Sequence, residues 1–224
     1  MESPIRSVRY IHKAIRVELE TLEDAVRRLN PADDRPAADI ERRFSFLYDT
    51  VKAHEDGEED AVFPAMDERI YPVSAPYLLD HKVDQRHMWE IAQSLSRFGA
   101  TPGAGERTDL LHHLNRLTVI LYSAMALHIR KEEEILVPLI EQHFSIEEQA
   151  NIVNRAIAHF SPDQMQQVLP WMLKALTLDE QEAYLRELMQ AMPPEAFHAM
   201  TRAVSEGVSP QQWQEITRRM PEAA

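Results

Sequence analysis

The chain has 224 residues, a length that suits one or two domains, and its 44% hydrophobic and 27% charged residues match an ordinary soluble globular protein. It has no cysteine, which excludes a disulfide scaffold, thiolate-held iron–sulfur or zinc sites and a cysteine nucleophile. A formal charge of −13 repels phosphate backbones and anionic lipid, so neither nucleic acid nor a membrane is an expected partner.

The opening MESPIRSVRY lacks the apolar core of a secretory signal, and no apolar run approaches the roughly 20 residues of a spanning helix. A cytoplasmic location is expected. From there the chain reads helical, with no period-two alternation and only five glycines. Breakers around residues 30–36, 71–76 and 99–105 leave four long segments, roughly 4–29, 38–69, 75–98 and 106–143. The expected fold class is all-α: an up-down-up-down four-helix bundle over 1–144, with a C-terminal extension over 145–224 packed on it. Pro64 and Pro138 each follow a histidine by ten residues and predict a bend or a stop in the second and fourth helices.

In the extension, Ser145, Ser161, Thr177, Pro193 and Ser209 recur every 16 residues, each ahead of a short apolar-periodic stretch. Glu148, Gln164, Glu180 and Gln212 stand three residues after the four hydroxyl residues, where a capping partner belongs. Five short helices are predicted. Trp171, Trp213 and the Met-rich stretch 165–200 read as packing of this extension, with a protein-partner face as the alternative.

Core-facing positions alternate by three and four along each bundle helix. The first seam is Ile5, Val8, His12, Ile15, Leu19, Leu22, Val26, Leu29, and the second Phe44, Leu47, Val51, His54, Glu58, Ala61. The third is Leu78, His81, Gln85, Met88, Ala92, Leu95, and the fourth Leu114, Thr118, Leu121, Met125, His128, Glu132, Ile135, Leu139. Each seam is interrupted by a histidine, and two of them by a glutamate four residues later. Buried carboxylates are costly unless partnered, so four imidazoles and two carboxylates converging on one core point to a metal site. The order His, HisxxxGlu, His, HisxxxGlu suits two metals, each half of the chain supplying one hemisphere. These donors suit iron, and also manganese or zinc. A ferritin-like centre is disfavoured, because Val51 and Met125 stand where its Glu-x-x-His pairs need glutamate.

This pattern resembles the hemerythrin-like, or HHE cation-binding, domains over roughly residues 5–143: His12, HEDGE at 54–58, His81 and HIRKE at 128–132. Within them it is similar to the hemerythrin domains of plant BRUTUS-type iron-regulated ubiquitin ligases, which carry stretches like HKAIRVELE (12–20), EEDAVFPAMDER (58–69), FSIEEQANIV (144–153) and LPWM (169–172). Without cysteines this chain holds no RING-type zinc module, so ubiquitin ligation is not expected of it. The resemblance implies two non-haem iron ions joined by an oxo or hydroxo bridge. Glu58 and Glu132 are then bridging carboxylates, and His12, His54, His81 and His128 terminal ligands. Oxygen carriers of the family place a fifth histidine four residues after the third-helix ligand; here Gln85 stands there, and His87 falls on another face. Glu55, Gln85 and Glu133 are candidates for a further ligand or for orienting one.

The expected function is a di-iron protein with oxygen- or redox-linked chemistry, binding or sensing iron and dioxygen; the absent fifth histidine argues against a dedicated oxygen carrier. One alternative is a di-iron oxidoreductase that activates dioxygen or peroxide. Another is an iron-binding interaction module that engages a protein through the C-terminal helices. The sequence leaves open whether the chain is an enzyme.

Overall fold

The structure, a computed structural model, describes residues 3–32 and 35–223. The expected domain limits Met1 and Ala224 lie outside these residues, as do Asp33 and Asp34 of the first breaker cluster. Among the described residues there is no strand, and the chain is all-α. The helices are α1 (Val8–Arg27), α2 (Arg35–Gly57), α3 (Phe63–Arg69), α4 (Ala75–Ala100), α5 (Ala104–Lys131) and α6 (Val137–His143), followed by α7 (Ile146–Ile157), α8 (Pro162–Ala175), α9 (Leu178–Ala191), α10 (Pro194–Gly207) and α11 (Pro210–Arg219). None of the described helices is long and apolar enough to cross a membrane.

The contacts divide the chain into two compact units. One holds the residues up to Ile5 together with 15–159; the other holds 6–14 and the chain from Phe160 onward. The helix α7, read from sequence as part of the extension, makes its contacts in the first unit.

In the first unit α4 packs along both α5 and α2. Asp80 meets Lys131 and Asp84 meets His128, so α4 and α5 run in opposite directions. From α1, Ile15, Leu19, Leu22 and Val26 are buried at alternating four- and three-residue steps, and Arg43 of α2 donates to Glu18 at 2.8 Å. The buried stripe of α4 is Tyr77, His81, Asp84, Met88, Ile91, Leu95 and Phe98. It corrects the predicted third seam, which took Leu78, Gln85 and Ala92 at positions only half-buried here.

Neither Pro64 nor Pro138 stops its helix. A wide π-type turn precedes each, at Glu58–Val62 and at Glu132–Leu136, and the helix continues as α3 and α6. The Phe63 N–H reaches back five residues to the Glu58 carbonyl, and the Val137 N–H likewise to Glu132. One residue inserted into the turn makes room for the proline ring, whose missing N–H and bulk rule out a regular turn. It also slips the seam by one position. After Glu132 the buried residues are Leu136, Val137 and Ile140, not the predicted Ile135, which is 52% exposed, and Leu139.

In the second unit, Ser161 and Thr177 form reciprocal capping boxes with Gln164 and Glu180, and Ser209 accepts from the Gln212 N–H. Ser145 does the same with Glu148 at the start of α7 in the first unit. The five short helices predicted from the spacing are all present. Leu169, Met172, Leu173, Leu185, Phe197, Val204 and Ile216 form the small core of the second unit. The rings of Tyr10 and Tyr184 lie 4.6 Å apart beside it. Gly207 packs directly on Pro170, leaving no space for a Cβ, whereas Gly99 in α4 has open space around it. Gly207→Ala is expected to cost about 1–3 kcal/mol through overpacking, while Gly99→Ala is neutral or gains up to about 1 kcal/mol from helix propensity. Chemical denaturation of both variants checks this; equal losses would contradict the packing described.

Candidate metal centre

Helical spacing puts Glu58, the first residue after α2, on the face of His54, and Glu132, the first residue after α5, on the face of His128, while His81 enters from α4. Their polar atoms form an alternating chain of nitrogen and oxygen. His54 Nε2 lies 3.6 Å from Glu58 Oε1, and Glu58 Oε2 lies 3.4 Å from His81 Nε2. His81 Nε2 is 3.8 Å from Glu132 Oε1, which is 2.9 Å from His128 Nε2. Each glutamate therefore faces two histidines from different helices. All are buried except His54, which is half-buried.

Ligand atoms of Glu55, His81 and His128 lie within 4.8 Å of one another, and so do those of His54, Glu58 and Glu132. Glu55, one of the further candidates from sequence, is 2% exposed, and Gln85 Nε2 donates to its Oε2 at 2.5 Å. Gln85 thus touches a candidate ligand. Glu133 stands apart from both and pairs with Arg16 at 3.2 Å. On α1, His12 is fully buried, in the stretch whose contacts belong to the second unit. His87 is half-buried and His112 exposed, and neither joins a group.

Two carboxylates escaped the sequence reading. Asp84, 1% exposed, lies 2.8 Å from His128 Nδ1 through Oδ2, and Glu59 Oε1 lies 2.9 Å from His81 Nδ1. A carboxylate on Nδ1 fixes the proton there and turns Nε2 toward the centre, as partners of metal-binding histidines commonly do. Asp84 carried a legible signal, since 77, 81, 84, 88, 91, 95 and 98 step by four and three throughout. Glu59 carried none: helical spacing sets it on the outer face.

Burial works against charge on both histidines, yet attraction to their carboxylates overcomes it. His81 is raised to about 11 by Glu132 and Glu58, and His128 to about 10 by Asp84 and Glu132. Burial dominates at Glu55 and lifts it to about 8. Of the described residues' buried atoms without a hydrogen-bond partner, three are Glu55 Oε1, Glu58 Oε2 and His81 Nε2. These three belong to the cluster, and imidazole with carboxylate and no thiolate is a donor set for iron, manganese or zinc. The residues present fit a bound cation.

Residues 3–140 match the family described as Hemerythrin HHE cation binding domain. Among curated proteins the chain is similar to the zinc finger protein BRUTUS of Arabidopsis thaliana, at 28% identity over 184 residues. That match covers 70% of this chain and 15% of the relative. Two BRUTUS-like zinc finger proteins of the same plant are 28% identical over 152 and 155 residues, 68% of this chain and 12% of each relative. The chain therefore spans well under a fifth of the length of these relatives. No solved structure matches significantly.

A pH prediction follows from the protons held in the cluster. His81 and His128 have folded values above 6.5, and Glu55 above 4.5. In each case the folded state binds more protons than the unfolded one within that window, so the contribution to stability is complete below it and is lost as pH rises through about 8 to 11. The metal-free protein should melt at lower temperature at pH ~9 than at pH ~6. Cation binding should release protons and tighten as pH rises, because the ligands must be deprotonated. Calorimetry in buffers of different ionisation enthalpy checks the second expectation, and a pH-independent affinity with no proton release would refute it.

Proposed function

Because the chain belongs to the Hemerythrin HHE cation binding domain family, we propose that its buried histidine–carboxylate cluster binds two iron ions and couples them to dioxygen or peroxide. The observation that carries this reading is the pairing of two donor groups across shared glutamates: Glu58 between His54 and His81, Glu132 between His81 and His128. One iron would be held by His12 and His54 and the other by His81 and His128, with Glu58 and Glu132 shared between them. Ligand atoms of His54, Glu58 and Glu132 within 4.8 Å of one another support the first assignment. Glu55 completes the second as a terminal carboxylate, in the place that Gln85 leaves without an imidazole.

When bound, an iron pair supplies one-electron steps at two adjacent centres. The chain's residues set the terms. Asp84 and Glu59 hold the protons of His128 and His81 on Nδ1, which keeps both Nε2 atoms available. Gln85 orients Glu55 by donating to one oxygen, which leaves Oε1 to face the centre. Phe63, with its ring 5.2 Å from His81, covers that side of the cluster.

An anionic oxygen donor in place of an imidazole favours ferric over ferrous iron. That favours sensing or turnover over reversible carriage. The same Glu55 supports the second reading, an oxidoreductase that consumes dioxygen or peroxide. A cytoplasmic location, and a protein partner engaged by the C-terminal helices, belong to this proposal.

Metal content separates the outcomes. Protein from iron-supplemented cells should carry about two irons per chain, and Glu58→Ala or Glu132→Ala should lose most of it through loss of a bridging ligand. His87→Ala and His112→Ala should keep it. Equal loss in all four variants would sink the ligand assignment. Anaerobic reduction followed by measured release or consumption of dioxygen then distinguishes binding from turnover.

A further inference from the structure

The two wide turns are alike in sequence but not in surroundings. In both, glutamate follows histidine by four residues and proline follows glutamate by six. The Glu58–Val62 turn packs against α7. Gly57, immediately before Glu58, lies so close to α7 that a Cβ there would meet the Ala156 carbonyl oxygen at 2.5 Å. At the matching position before Glu132 stands Lys131, which pairs with Asp80. In a regular helix the Asp60 carbonyl accepts from the N–H of residue 64, but Pro64 has none. Arg155 of α7 supplies the donor, with Nη2 2.8 Å from the Asp60 oxygen. His159 lies 3.1 Å from the Asp60 carboxylate. The start of α7 is anchored separately, by Arg69 of α3, which bonds the His143 carbonyl at 2.8 Å and Glu148 at 2.6 Å.

We propose that α7 is a positioning element for the candidate metal centre: Arg155, seated through Gly57, holds the Glu58–Val62 turn open in the shape that presents Glu58 to both His54 and His81. This rests on the metal-binding reading above. Arg155 touches no candidate ligand; it acts through the backbone of the turn that carries one. A turn deprived of its substitute donor relaxes toward water, and the Glu58 carboxylate moves with it. The Glu132 half, which has Lys131 paired with Asp80 in place of Gly57 against α7, keeps its geometry without α7.

The test compares Arg155→Met, Arg155→Lys and Gly57→Ala with the parent and with His54→Ala, using the full chain. Anaerobic ferrous iron titration gives the affinity, and cobalt(II) absorption reports the coordination geometry. Arg155→Met should weaken iron binding about tenfold, the lower end for groups that orient metal ligands, and should alter the cobalt(II) bands. Arg155→Lys, which keeps a donor, should recover part of both. Gly57→Ala should weaken binding although alanine favours helix more than glycine, so a weaker helix cannot explain the loss. The inference is overturned if Arg155→Met binds both metals as the parent does, with unchanged bands, whatever happens to its melting temperature. If His54→Ala loses metal in that same series, the ligand reading survives the failure; if His54→Ala also keeps it, that reading falls too.

Discussion

Ionisable groups packed into a hydrocarbon core must neutralise one another or a cation, and the first unit is organised around that necessity. Glu55, Glu58, Glu132, Asp84, His81 and His128 are all buried. Each would cost several kcal/mol alone. Together they form a network in which histidine protons are held by carboxylates and the remaining oxygens and nitrogens face inward. The raised values of His81 and His128 are the signature of a site that holds positive charge against burial. A bound cation supplies that charge in another form.

Carboxylates must also be aimed, and helices aim side chains in fixed steps. The wide turns at Glu58 and Glu132 break those steps at the two residues that face the centre. Each turn begins at the glutamate and ends two residues before a proline, whose missing N–H excludes a regular turn there. The extra residue rotates everything beyond it: Leu136 and Ile140 pack where a regular helix would have put Ile135 and Leu139. It also brings Glu59, an outer-face residue by sequence, to His81 Nδ1.

The two halves resemble each other most at the candidate ligands and least around them. Lys131 and Gly57 occupy matching positions, one pairing with a neighbouring helix and the other admitting the backbone of α7. Glu55 is buried beside Gln85, whereas its counterpart Ile129 is an ordinary core residue. The donor set is therefore unequal on its two sides, with an added carboxylate on the side of His81 and His128.

Much of this was legible in the sequence because its signals are local. Histidine and glutamate interrupting the apolar seams marked the cluster, and hydroxyl residues or proline every 16 positions marked the short helices, because periodicity and capping depend on near neighbours along the chain. Helix spacing alone joined His54 to Glu58 and His128 to Glu132. The rest required tertiary structure. Asp84 was missed through a seam read one residue out of phase, an error that packing against α5 resolves. Nothing in Pro64 or Pro138 distinguishes a stop from a wide turn; the packing on either side decides it. The roles of Glu59, Gly57 and Arg155 depend on which helix lies across the turn. Local spacing fixes which face of a helix a residue occupies, and only the packed chain fixes what that face meets.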